Sequence, residues 1–117
     1  MSDIQRKHTN ARMSKIVQHG GLIYLCGQTS NGSSAAGIGA QTQEALSRID
    51  VLLAEAGSDR SRLLAVTVHL KSMQDFAQMN ACWESWLAGA AAPARTTVQA
   101  ALATEDLLVE FTVTAAA

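Results

Sequence analysis

The tightest constraint on the fold is a change of hydrophobic period in the middle of the chain. Over residues 39–56, Ala45, Leu46, Ile49, Leu52, Leu53 and Ala56 recur at helical spacing, with Glu44, Arg48, Asp50 and Glu55 elsewhere on the wheel. Gly57 follows, a residue able to close a helix in the left-handed conformation. Seven residues later Leu64, Val66, Val68 and Leu70 alternate with Ala65, Thr67 and His69, the period of a strand with two distinct faces. The chain therefore mixes helix and sheet.

The other elements are shorter. Residues 1–14 read as an irregular lead-in. Gly20-Gly21 marks a turn, and Leu22–Cys26, bounded by Gly27, reads as a buried strand. Thr29–Gly39, rich in Ser, Gly and Ala, reads as a loop. Ser72, with Asp75 three residues on, opens a second helix that runs to about Ala88 with the stripe Phe76, Met79, Trp83, Trp86 and Leu87. Beyond Pro93, Arg95–Leu102 and Leu107–Ala115 read as two strands. The order β, α, β, α, β, β predicts one α+β domain over residues 1–117, a two-layer sandwich with a mixed sheet and both helices on one face.

Two helices cover only one face of such a sheet. The other carries Ala65, Thr67, Leu108, Thr112 and Thr114, which are small and semi-apolar. With 117 residues, five aromatics and 21 alanines, the core of a single copy is modest. Both facts predict self-association through the uncovered face.

The formal net charge of −1 argues against a surface built to cover nucleic acid. No apolar run approaches the roughly 20 residues that cross a bilayer, and the polar N-terminus has no signal-peptide character. Cys26 and Cys82 are too few for a disulfide framework, so reduced thiols and a cytoplasmic location are expected. His8, His19 and His69 lack metal-ligand spacing, and no phosphate-binding glycine loop or serine-hydrolase elbow is present. No metal and no cofactor are expected. Arg6, Lys7, Arg12 and Lys15 read as a solvated basic arm.

Three residues stand out chemically. Arg95 begins a strand directly after Pro93-Ala94, with no charged residue within nine positions. Its planar fork suits a carboxylate, although an ion-paired surface arginine fits the same pattern. Glu110 is the sole charge in the last eleven residues, either a working acid or a guard against edge pairing. Asn80 lies on the apolar stripe of the second helix, where its amide must hold a loop or a ligand. Cys26 reads as a small buried apolar residue.

Five blocks in order extend over residues 12–115: Gly21-Leu22-Ile23-Tyr24-Leu25-Cys26-Gly27-Gln28, Ile49-Asp50-x-Leu52-Leu53-x-Glu55-Ala56-Gly57, Asp75-Phe76-x-x-Met79-Asn80-x-x-Trp83, Pro93-Ala94-Arg95-x-x-Val98 and Val109-Glu110. Together they resemble the Rid/YjgF family of reactive-intermediate deaminases. The resemblance implies a chorismate-mutase-like subunit, a homotrimer, sites in the clefts between subunits, and hydrolysis of enamines and imines such as 2-aminoacrylate to 2-oxo acids and ammonia without a cofactor. It implies that Arg95 holds the substrate carboxylate and Glu110 places water. Asn80, Gly27 and Gln28 would line the pocket. The chain departs from the family pattern at three of its positions: Cys26 stands for a serine, Thr97 for a cysteine, and the Met13 region for a tyrosine. A non-catalytic trimer binding a 2-oxo acid is the competing expectation; an endoribonuclease fits less well, for want of basic charge and a spaced histidine pair.

Overall fold

A computed structural model of the chain describes residues 3–117. Six strands and two helices follow one another as β1 (Gln5–Thr9), β2 (Ser14–His19), β3 (Leu22–Leu25), α1 (Ile38–Glu55), β4 (Leu63–Leu70), α2 (Phe76–Leu87), β5 (Ala94–Gln99) and β6 (Val109–Ala116). They build one mixed sheet in the order β1-β2-β3-β6-β4-β5. Every pairing is antiparallel except β4–β5. The parallel pair is joined through α2, a crossover that antiparallel neighbours do not need.

The lead-in is not irregular. Residues 5–9 and 14–19 form a hairpin at the sheet edge, held at its turn by Asn10, whose Oδ1 accepts the N–H groups of Arg12 at 2.8 Å and Met13 at 3.0 Å. The β2–β3 turn is the two-residue Gly20-Gly21, with φ of 60° and 81°, a conformation that matches the twist of the flanking strands. Ser72 caps only a short 3-10 turn over Met73–Asp75, its hydroxyl accepting the Gln74 N–H, and α2 begins at Phe76. The fifth strand stops at Gln99 rather than Leu102.

The helices pack on one face, as their stripes require. Leu46, Ile49 and Leu53 of α1 and Met79, Trp83 and Leu87 of α2 are buried with Ile16, Ile23, Val66, Val68, Phe111 and Val113 of the sheet. Trp83 stacks on Phe111 with ring centroids 6.0 Å apart. Leu108 joins this layer instead of the opposite face: it packs against the core and donates its N–H to Gln41 Oε1. On the opposite face the pairs Ala65–Thr114, Thr67–Thr112 and His69–Glu110 run across β4 and β6. Tyr24 and Val98 are 45% and 41% exposed, so this face presents apolar surface that a single copy leaves uncovered.

Candidate functional site

Arg95 sits on the edge strand β5, level with Val66 of β4 and therefore on the helix side of the sheet. There α2 presents Phe76, Asn80 and Trp83 at i, i+4 and i+7, one stripe of the helix. The guanidinium donates from Nη2 to Asn80 Oδ1 at 2.8 Å and lies 5.9 Å from the Phe76 ring centroid and 5.5 Å from that of Trp83. Aromatic faces attract a cation without consuming its N–H donors. Desolvation lowers the arginine's pKa from its ordinary value, with the nearby Glu84 opposing, and the group stays cationic. No carboxylate among the described residues lies within ion-pair distance of it. Most of its five donors are thus uncommitted. Thr97, two residues on and level with Val68, shares this side, and its buried Oγ1 has no hydrogen-bond partner.

The second group lies where β3 gives out. Cys26 donates its N–H to the Lys15 carbonyl at 3.1 Å, and Gln28 rejoins the sheet by exchanging two backbone bonds with Phe111. Gly27, between them, has the Glu110 carboxylate lying on its Cα: a Cβ there would come within 2.8 Å of Glu110 Cδ. The Gln28 amide donates to the Cys26 carbonyl at 3.1 Å and to Sγ at 3.2 Å. Burial raises the Cys26 pKa, with Lys15 opposing and Glu110 adding to the rise, so the thiol is neutral and a poor nucleophile at pH 7.

One chain does not bring the two groups together. Glu110 on β6 and Arg95 on β5 are separated by β4, about 10 Å at ordinary strand spacing. Glu110 is level with His69, whereas Arg95 is level with Val66, three residues along. They also belong to opposite faces. Within a single copy the two groups therefore stay apart, on different strands and different faces of the sheet. Two surface grooves lie elsewhere, between α1 and α2 and between the β1–β2 hairpin and α1; the latter reaches Gln28.

Sequence reasoning missed the aromatic seat of Arg95, because Phe76 and Trp83 read simply as core. Their spacing around Asn80 was the available signal.

The chain matches the family model described as endoribonuclease L-PSP over residues 4–117. It is 38% identical over 113 residues to a RutC family protein of Haemophilus ducreyi, covering 97% of this chain and 96% of that one. The chain belongs to the Rid/YjgF family. The RutC family protein YoaB of Escherichia coli K12 is 37% identical, with 97% of each chain covered. Among solved structures, a YjgF-family protein of Neisseria meningitidis superposes with a TM-score of 0.92 at 38% identity, covering 97% of this chain and 94% of that one. The E. coli YjgF gene product gives 0.84 at 26% identity, with 92% and 90% covered. The Rid/YjgF fold accounts for the mixed sheet with its two helices on one face. No helix among the described residues is long and apolar enough to cross a membrane.

Proposed function

We propose that this Rid/YjgF protein hydrolyses small 2-imino acids and their enamine tautomers to 2-oxo acids and ammonia, in clefts between the subunits of a homotrimer. The observation that carries the reading is Arg95: a partly desolvated guanidinium, oriented by Asn80 and two aromatic rings, with no carboxylate of its own. Such a group is a receptor for an external carboxylate, which it binds through two parallel hydrogen bonds. The separation of Arg95 from Glu110 within one chain, and the uncovered apolar face, support a site completed by a second copy. Its Cys26, Gly27, Gln28 and Glu110 would then face the Arg95, Asn80 and Thr97 of the first.

The chemistry asks little of the protein. A protonated imine carbon is already electrophilic, so the main tasks are to fix it and to aim a water. Glu110 accepts a proton as the water oxygen bonds to carbon and the C=N π electrons move to nitrogen. Glu110 then delivers that proton to nitrogen, and takes up the hydroxyl proton as the C–N bond breaks and C=O forms, so that ammonia leaves with the 2-oxo acid. A strong nucleophile is unnecessary, in keeping with the neutral Cys26.

A non-catalytic 2-oxo acid binder is the second reading, favoured by the altered pocket positions Met13, Cys26 and Thr97. RNA cleavage finds less support. His8 is bonded to Glu55 at 2.5 Å and His19 to Asp3 at 2.9 Å, leaving no histidine pair beside Arg95, and the net charge is −1.

Arg95→Lys tests the reading. Lysine keeps the charge and loses the fork. At about 1.5–3 kcal/mol for charge-assisted hydrogen bonds, kcat/KM falls roughly ten- to more than a hundredfold. Imines made in situ by an amino-acid oxidase, with semicarbazide as the competing trap, supply the assay. A lysine variant as active as the parent would remove Arg95 from the site, and one that unfolds would make it structural.

A further inference from the structure

We propose that Phe76, with Met73 beyond it, selects 2-imino acids that carry apolar side chains; the inference rests on the imine-hydrolase reading and names its substrate class. Two rings flank the Arg95 guanidinium, and they are not equivalent. Trp83 is only 5% exposed, stacked on Phe111 and in contact with Trp86, so its faces are spent within the core. Phe76 is 37% exposed, with its ring centroid 5.9 Å from the guanidinium carbon. A carboxylate that pairs with Arg95 arrives from solvent, so the group attached to it emerges beside Phe76 and not beside Trp83.

Met73 extends the same surface. It opens the 3-10 turn that leads into α2, and the Phe76 N–H donates to its carbonyl, an arrangement that eclipses the two side chains. Met73 is 42% exposed, and its own N–H donates to Gln99 Oε1 at 3.2 Å, which holds the turn against the far end of β5. Arg95 and Gln99 lie on one face of that strand, four residues and about 13 Å apart. The surface thus runs from a cationic anchor, past an exposed ring, to an exposed thioether. Residues 72–88, which carry it, contain two carboxylates, Asp75 and Glu84, and no Lys, Arg or His. A second carboxylate on the substrate finds no partner there, whereas an apolar chain displaces water from Phe76 and Met73. Full burial is worth about fourfold per methylene, so partial cover of three extra carbons gives roughly tenfold.

The test compares side chains on one scaffold. Imines made in situ from alanine, norvaline and leucine give kcat/KM, and calorimetric titration of pyruvate, 2-oxopentanoate and 2-oxoglutarate reads binding alone. The parent should favour the norvaline and leucine imines over the alanine imine by roughly tenfold, and should bind 2-oxopentanoate at least about tenfold more tightly than 2-oxoglutarate. Phe76→Ala should flatten the imine series to within about threefold, and Phe76→Leu should restore most of it. A loss in Phe76→Ala that is equal for every substrate would overturn the proposal, because the ring would then only seat Arg95 or hold a subunit contact. If Phe76→Ala does not fold, the parent decides: kcat/KM and dissociation constants that ignore the side chain would overturn the proposal. Selective 2-oxo acid binding without turnover of any imine would sink the hydrolase reading and leave the selection standing. Turnover indifferent to the side chain would do the reverse.

Discussion

Replacing Gly27 by alanine probes the Glu110 half of the site by displacing the carboxylate without removing it. The glycine backbone is not in the left-handed region, so alanine meets no strain there. Its methyl, however, would stand 2.8 Å from Glu110 Cδ and 3.1 Å from Cγ, where ordinary contact starts at 3.4 Å. The Cδ atom must therefore retreat by about 0.6 Å and the nearer oxygen by more, roughly the 1 Å of misplacement that costs a reacting group about a hundredfold. Because the atoms that give way are the end of a half-buried side chain, the stability cost is that of an off-rotamer carboxylate, about 0.5–1.5 kcal/mol. For a domain of this size that is a fall in Tm of roughly 2–8 °C. Imine turnover under saturating substrate should drop ten- to a hundredfold with KM little changed, since Arg95 is not disturbed. In a Glu110→Gln background the same alanine should cost almost nothing further, because the carboxylate it displaces is gone. Full activity in Gly27→Ala, or an undiminished loss on top of Glu110→Gln, would show that the carboxylate position does not matter.

Asp50 ties α1 to α2, accepting from Trp86 Nε1 at 2.9 Å and from Arg60 at 2.6 and 3.2 Å, while Arg60 also donates to the Trp86 carbonyl. Asp50→Ala should cost about 1–2 kcal/mol, with Tm lower by roughly 4–10 °C at matched protein concentration and kcat/KM unchanged; a melt identical to the parent would mean that water replaces these bonds without loss. Burial raises the Cys26 pKa, so folding favours the protonated thiol. That contribution is whole below the unfolded thiol's pKa and is lost as pH rises through the folded value. Chemical denaturation of the parent and Cys26→Ser should therefore show the parent's advantage shrinking above about pH 9, and an advantage that grows with pH would refute the assignment.

The central elements were legible because burial on one face leaves a period. Eight buried positions of α1 and the alternating burial of β4 and β6 show that period directly. The first hairpin was not legible because β1, Gln5–Thr9, contains no apolar residue and is almost wholly exposed. It exists through pairing with β2 and the Asn10 turn, and only Asn10 signalled it. The site followed the same logic. Asn80 announced itself as an amide on an apolar stripe, and Arg95 and Glu110 as isolated charges in otherwise uncharged stretches. Their division between two faces depends on the order β6-β4-β5 and on register, which no local pattern encodes. The Gly27–Glu110 contact likewise arises from strand pairing.

Mixing two inactive variants tests the composite site most directly. Arg95→Ala keeps Glu110, and Glu110→Gln keeps Arg95. If each cleft takes its arginine from one copy and its acid from the next, co-refolding the two at equal ratio leaves about a quarter of the clefts with both residues intact. Imine hydrolysis should then return to about a quarter of the parent rate, from two preparations that are each nearly inert. No recovery, in mixed assemblies verified by mass spectrometry, would mean that Arg95 and Glu110 act within one chain or not together at all.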